Sequence, residues 1–130
     1  MGAADVDTWE AWTKANQRYI TARARLLRAR LAAAARRLDG AAEGEAEAEV
    51  EREVHDSALA MPAPSALDRV ASLFDLSPFQ CEVLVLAAAV ELMGEVGGDC
   101  ARLHGDPRRR YATFGLALWS LPGAHWSAIT

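Results

Sequence analysis

Residues 7 to 38 contain neither glycine nor proline, and the first break after them is Gly40. A stretch so long, free of helix breakers and rich in Ala, Leu and Arg, satisfies its backbone hydrogen bonds most simply as one continuous helix. Asp7 with Glu10 three residues on has the spacing of a capping box, which starts the predicted helix at residue 7. On a helical wheel Trp9, Trp12, Tyr19, Ile20, Leu26, Leu27, Leu31, Ala34 and Leu38 share one broad face, with Lys14, Arg18, Arg25 and Arg36 roughly opposite. Arg23, Arg30 and Arg37, spaced by sevens, follow one edge of the apolar face. Their stems can pack there while the guanidinium groups reach a neighbouring element, which must then be acidic.

The next segment meets that requirement. Between Lys14 and Arg37 no acidic residue occurs, whereas "EGEAEAEVEREVHD", residues 43 to 56, carries Glu43, Glu45, Glu47, Glu49, Glu51, Glu53 and Asp56 against Arg52 alone. Ala46, Val50, Val54 and Ala58 recur every four residues, which predicts a second helix packed antiparallel on the first through the "LDGAA" corner. On this reading Arg23, Arg30 and Arg37 set the internal helix pairing. A solvated acidic linker is the alternative for so weakly hydrophobic a Glu/Ala run.

"MPAPS", residues 61 to 65, marks a boundary, because Pro62 and Pro64 block helix and push the residues before them toward extended backbone. Ser65 with Asp68 opens a short amphipathic helix patterned on Leu67, Val70, Ala71 and Phe74. After the "DLSP" corner, Ser77 caps the next helix, with Pro78 at its first position and Gln80 completing a box. That helix is predicted to run to about Met93, where Gly94 stops it. Asp99 is a candidate cap for a helix through Leu103, and Thr113 for one through Leu121. Ala and Leu dominate the apolar residues and β-branched residues are sparse, so the predicted fold is all-α without strand or repeat. It comprises a long helical hairpin over residues 1 to 60, then a compact helical domain over 61 to 130 with a helix-turn-helix-like corner.

A helix-turn-helix raises the question of DNA. A recognition helix places Arg, Lys, Asn, Gln or Ser near its N-terminus against base edges, within a basic surround. "SPFQCEVLVLAAAVEL" offers Gln80 for that work, sets Glu82 against phosphate and continues apolar, which reads as a core helix. Glu82 and Glu91 lie nine residues apart, about half a turn out of phase, so they mark two polar exits of a buried helix rather than an acid-base pair. The basic cluster Arg108, Arg109 and Arg110 beside Tyr111 attracts phosphate without reading sequence, and reads more simply as a loop meeting acidic surface or a partner chain. A net charge of -4 points the same way.

Catalytic patterns are missing from the residues. His55, His104, His125, Cys81 and Cys100 are scattered without metal-ligand spacing. No G-x-S-x-G elbow occurs, and Lys14, the one lysine, is not part of a phosphate-binding loop. The expectation is a non-enzyme with no cofactor and no metal. The apolar run 83 to 90 is far shorter than the ~20 residues of a membrane span, and no secretory leader is visible, so a cytoplasmic chain with reduced thiols is expected. Trp119 and Trp126, with Phe114, Leu116, Leu118 and Leu121, read as a core closed by aromatics; an apolar patch awaiting a partner is the alternative.

From Ser65 onward the sequence resembles the N-terminal region of a group of bacterial AAA+ ATPases, including those found with extracellular contractile injection systems. "SALDRVASLFDLSPFQCEVLVLAAAVEL" and "LHGDPRRRYATFGLALWSLPGAHWSAIT" carry the resemblance, over about half of the chain. It implies a helical, winged-helix-related accessory domain upstream of an ATPase module. Neither Walker motif is present, so no catalytic position carries over. The expected function is therefore protein contact or positioning of an ATPase ring, with Arg108, Arg109, Arg110 and Trp126 as candidate partner contacts. The expected partner is a protein or the ATPase module itself, with neither nucleic acid nor membrane. A nucleic-acid-binding helix-turn-helix module is the alternative, and self-association through the first helix a third reading.

Overall fold

The computed structural model describes residues 3 to 40 and 46 to 121, and these form six helices and, among the described residues, no strand. They are α1 (Ala3–Leu38), α2 (Ala46–Leu59), α3 (Ala66–Phe74), α4 (Pro78–Leu92), α5 (Gly94–His104) and α6 (Phe114–Ser120). The all-α expectation holds, and so does the long first helix.

α1 is the axis on which the other helices assemble. Leu27, Leu31 and Ala34 are fully buried, and Tyr19, Ala24 and Leu26 nearly so. α2 runs antiparallel along one flank, with Arg18 meeting Glu53 and Arg30 meeting Glu47. The acidic run is thus a helix over residues 46 to 59 rather than a linker. Its inward stripe is Val50, Val54 and Ser57; Ser57 is fully buried and bonds the Val54 carbonyl at 3.1 Å, while Ala58 faces solvent. A strict four-residue repeat drifts around a 3.6-residue helix, which is why the stripe steps back to Ser57.

α4, α5 and α6 also pack on α1. Val85, Leu86, Ala89, Val96, Cys100, Leu116, Ala117 and Leu121 meet Leu27 and Leu31 in one core. α4 ends at Leu92 with Met93 as its C-cap, as the sequence predicts. Two expectations about helix starts are corrected. α1 begins at Ala3, so Asp7 is an exposed interior residue and not its cap. α5 starts at Gly94, directly after Met93, so Asp99 sits inside α5 rather than capping it.

The cost of three glycines within α5, about 1 kcal/mol each relative to alanine, is offset by complete burial of Val96 and Cys100. Gly97 has a second use. A Cβ there would stand 3.2 Å from the Arg110 carbonyl oxygen, so a larger residue would push that chain segment away from α5 by a few tenths of an ångström.

The aromatic residues correct a further expectation. Phe79 is buried, but Trp119 is 52 % and Phe114 63 % exposed, because α6 turns Leu116, Ala117 and Ser120 inward instead. Trp126 lies outside the described residues. Trp9 is also exposed, since the first turns of α1 carry no buried residue. Trp12, one turn on, donates to the Pro64 carbonyl at 3.0 Å and lies beneath the Arg69 guanidinium.

Truncating Leu27 to alanine should lower unfolding free energy by about 2–5 kcal/mol in a urea titration. Trp9→Ala should change it by less than about 0.5 kcal/mol. Comparable losses for both would contradict this division between core and overhang.

Candidate functional site

The helix-turn-helix corner is built by local hydrogen bonds. Ser65 caps α3 by accepting from the Asp68 amide at 3.1 Å, and the Ala66 amide donates to the Asn16 side chain of α1 at 2.9 Å. α3 closes at Asp75, whose left-handed backbone (φ 51°) turns its own amide and that of Leu76 back to the Ala71 carbonyl. Two residues later Ser77 and Gln80 form a complete capping box: the Gln80 amide donates to Ser77 Oγ, and the Ser77 amide to Gln80 Oε1.

That corner sets what the second helix presents. Gln80, the one side chain of α4 suited to a base edge, is occupied as a cap. Phe79, Val85, Leu86 and Ala89 are buried. The outward side carries Leu84, Ala87, Ala88, Glu91 and Leu92, and no cation. α4 is therefore a core helix on one side only, which corrects the expectation of a helix buried all round. Leu92 is 73 % exposed, and Leu73 and Phe74 at the end of α3 are similarly bare. The apolar stripe of α3 reads as core in the sequence, yet of its residues only Leu67 is buried.

A frame of ion pairs holds α4 in this orientation. Arg23 donates to Glu82 at 2.7 Å and to the Tyr19 hydroxyl at 2.8 Å, with the Arg23 and Glu82 side chains only 17 % and 12 % exposed. Burial works against the Arg23 charge, but Glu82 and Tyr19 outweigh it and raise the guanidinium pKa. Arg30 lies 3.7 Å from the other Glu82 oxygen, and 3.4 Å and 3.8 Å from Glu47 and Glu51 of α2. Arg30 thus bridges α2 and α4, while the acid that Arg23 meets belongs to α4. Arg37, exposed at the far end of the same edge, lines a surface hollow with Glu47 and Trp119.

Arg18, on the side of α1 that the sequence assigns to solvent, makes a two-point contact with Glu53 at 2.8 Å and 3.2 Å. This contact raises the Arg18 pKa and lowers that of Glu53. Equal spacing drew attention to Arg23, Arg30 and Arg37. The signal pointing to Arg18 is that the acidic run continues to Glu53 on a helix running back along α1 toward it.

Arg108, Arg109 and Arg110 are all exposed, but they are not equivalent. Arg110 folds back to donate to the Gly94 carbonyl at 3.2 Å. Arg109 donates to the Tyr111 hydroxyl at 3.2 Å, which raises its pKa. Arg108, its side chain 92 % exposed, is the member of the cluster that projects into solvent.

Asp99, buried on α5, has its Oδ2 3.7 Å from Arg28 Nε and without a hydrogen bond. Burial pushes its carboxyl above the ordinary aspartate range, against the pull of Arg28 and Arg102. Burial and Asp99 also push the Cys100 thiol up, the opposite of an activated nucleophile. Among the described residues, no group of three or more His, Cys, Asp or Glu side chains is placed to hold a metal, and no helix is long and apolar enough to cross a membrane.

A capped helix-turn-helix corner mounted on a helical core defines the class of fold. The family model "Winged helix domain, variant" matches residues 3 to 124, and the chain belongs to that family. No curated protein and no solved structure matches it.

Glu82→Ala would leave the half-buried Arg23 without a carboxylate partner and should cost about 3 kcal/mol in a urea titration. Asp99→Asn should act in the opposite direction. Because the folded-state pKa is raised, ionising Asp99 costs more in the folded than in the unfolded chain. The stability at this site is then fully present below the unfolded value of about 3.9 and falls as pH rises through the raised folded value. The asparagine variant should therefore show a higher urea midpoint than the parent at about pH 7 and little difference at about pH 3. An equal effect at both would contradict the assignment.

Proposed function

We propose that the chain is a non-catalytic module working by protein contact, and that it acts as an accessory domain of an AAA+ ATPase. The supporting observation is the outward side of α4. In a DNA-reading helix-turn-helix this surface carries polar and cationic side chains, whereas here it carries Leu84, Ala87, Ala88 and Leu92 with Glu91 among them. Exposed apolar residues grouped on one surface mark a contact with another protein more readily than one with phosphate. The ATPase setting is drawn from the resemblance over residues 65 to 130. In that setting Arg108 and the exposed rings of Phe114 and Trp119 are available for contacts to the ATPase module or its partner.

Fluorescence anisotropy with labelled duplex DNA, from about 50 mM to about 200 mM salt, tests the reading. Weak, unsaturable binding that vanishes at the higher salt is expected; tight binding with a steep salt dependence would sink it. A phosphate-binding-loop sequence encoded in frame beyond Thr130 is the expected sign of the ATPase setting, and an immediate stop codon would remove it.

A further inference from the structure

The outward side of α4 does not form a flat patch. It lines a groove of about 200 Å³ between α1, α3 and α4, in which every lining side chain is apolar, Ile20, Leu67, Val70, Leu84, Ala88 and Leu92 among them. Val70, Leu73 and Phe74 lie at i, i+3 and i+4 on α3, so its apolar stripe extends past the groove, with Leu73 79 % and Phe74 71 % exposed. α1 closes the groove with Ile20 and Ala24.

Charge around this surface is one-sided. On α3, α4 and the first turn of α5, the ionised side chains outside the Glu82 frame are Asp68, Asp75, Glu91 and Glu95 against Arg69. Arg69 is itself engaged, its guanidinium 5.1 Å from the centre of the Trp12 ring.

We infer that the α1–α3–α4 groove receives an amphipathic helix of a partner protein, its apolar face flanked by Lys and Arg. The inference rests on the protein-contact reading above and names the chemistry of the partner. An apolar helix face with anchors at i, i+3, i+4 and i+7 suits a groove of this kind, and a cationic flank would meet Glu91, which adjoins Leu92 on the outward side of α4. The same acidic rim disfavours the other occupants. Two copies paired through this face would bring their predominantly acidic surrounds together, and phosphate, whether of nucleic acid or of an anionic lipid surface, would be repelled.

The test titrates the whole chain into three fluorescein-labelled model peptides. One carries a helical leucine face with lysine flanks, the second the same face with glutamate flanks, and the third the residues of the first in an order that disperses the face. The first should bind at least tenfold more tightly than either of the others. Because Leu84 and Leu92 are exposed, L84Q and L92Q should keep the parent's circular dichroism and weaken that binding at least fivefold. E91K should narrow the preference for lysine flanks. Amide shifts on binding should fall on Val70, Leu84, Ala88 and Leu92, leaving Arg108, Arg109 and Arg110 unmoved.

Equal binding of the lysine- and glutamate-flanked peptides, shifts elsewhere, or no peptide binding would overturn the groove assignment while leaving the broader protein-contact reading in place. Tight binding to duplex DNA would overturn both.

Discussion

Glu82 is the carboxylate around which the domain is organised. It enters the α1 interface from the first turn and a half of α4 and engages two arginines of α1 seven residues apart, one of which also reaches α2. A largely buried carboxylate is costly unless its oxygens are met by opposite charge, so turning α4 about its axis would strand Glu82 and Arg23, while Arg30 would keep Glu47 and Glu51. The rotation of α4 decides the rest. With Glu82 inward, Val85, Leu86 and Ala89 complete the core, and Leu84, Ala88 and Leu92 are left facing out.

Much of this was legible because it depends on local chemistry. Residues 7 to 38 lack any breaker, Ser77, Pro78 and Gln80 form a box within four residues, and Thr113 caps α6 through the Leu116 amide. Signals of that kind act over one turn of chain, and the folded structure uses them as they stand. The alternation of a basic helix with an acidic one was legible for the same reason, although its pairings were not. The partner of Arg23 is Glu82, fifty-nine positions away, and only the packing of α4 on α1 brings the two together.

Other features were hidden by the limits of periodicity. A stripe such as Leu67, Val70, Ala71 and Phe74 states that one side of a helix is apolar, without stating that anything covers it. α3 is anchored at its first turn by Asn16 and the Ser65 cap, and beyond Val70 its apolar side meets solvent. The glycines of α5 misled in the opposite direction. "MGEVGGD" looks like a turn by propensity, but burial of Val96 and Cys100 and the close crossing of Arg110 over Gly97 make it helical. Propensity yields wherever a few kcal/mol of packing opposes it. Trp126, the other candidate contact, lies outside the described residues, so the cluster of Arg108, Arg109 and Arg110 stands without it.

Membership in a winged-helix family and an apolar second helix are compatible because the corner and the surface it presents are separate properties. The corner needs Ser65, the left-handed turn at Asp75, Ser77 and Gln80, and none of these groups is apolar or faces the groove. The outward residues of α4 make no hydrogen bond that the turn depends on, so they are free to change without loss of the fold. In this chain they have become leucine and alanine, and the ionised groups near them are predominantly acidic. The positive charge that a DNA-binding relative would need beside this helix lies instead on α1, where Arg18, Arg23, Arg28 and Arg30 face carboxylates of the same chain. A cation already neutralised within the fold contributes little to phosphate binding, because such binding draws its strength from counterions released around unpaired charge. The ion pairs of Glu82 that fix α4 in place thus also neutralise Arg23 and Arg30 beside it.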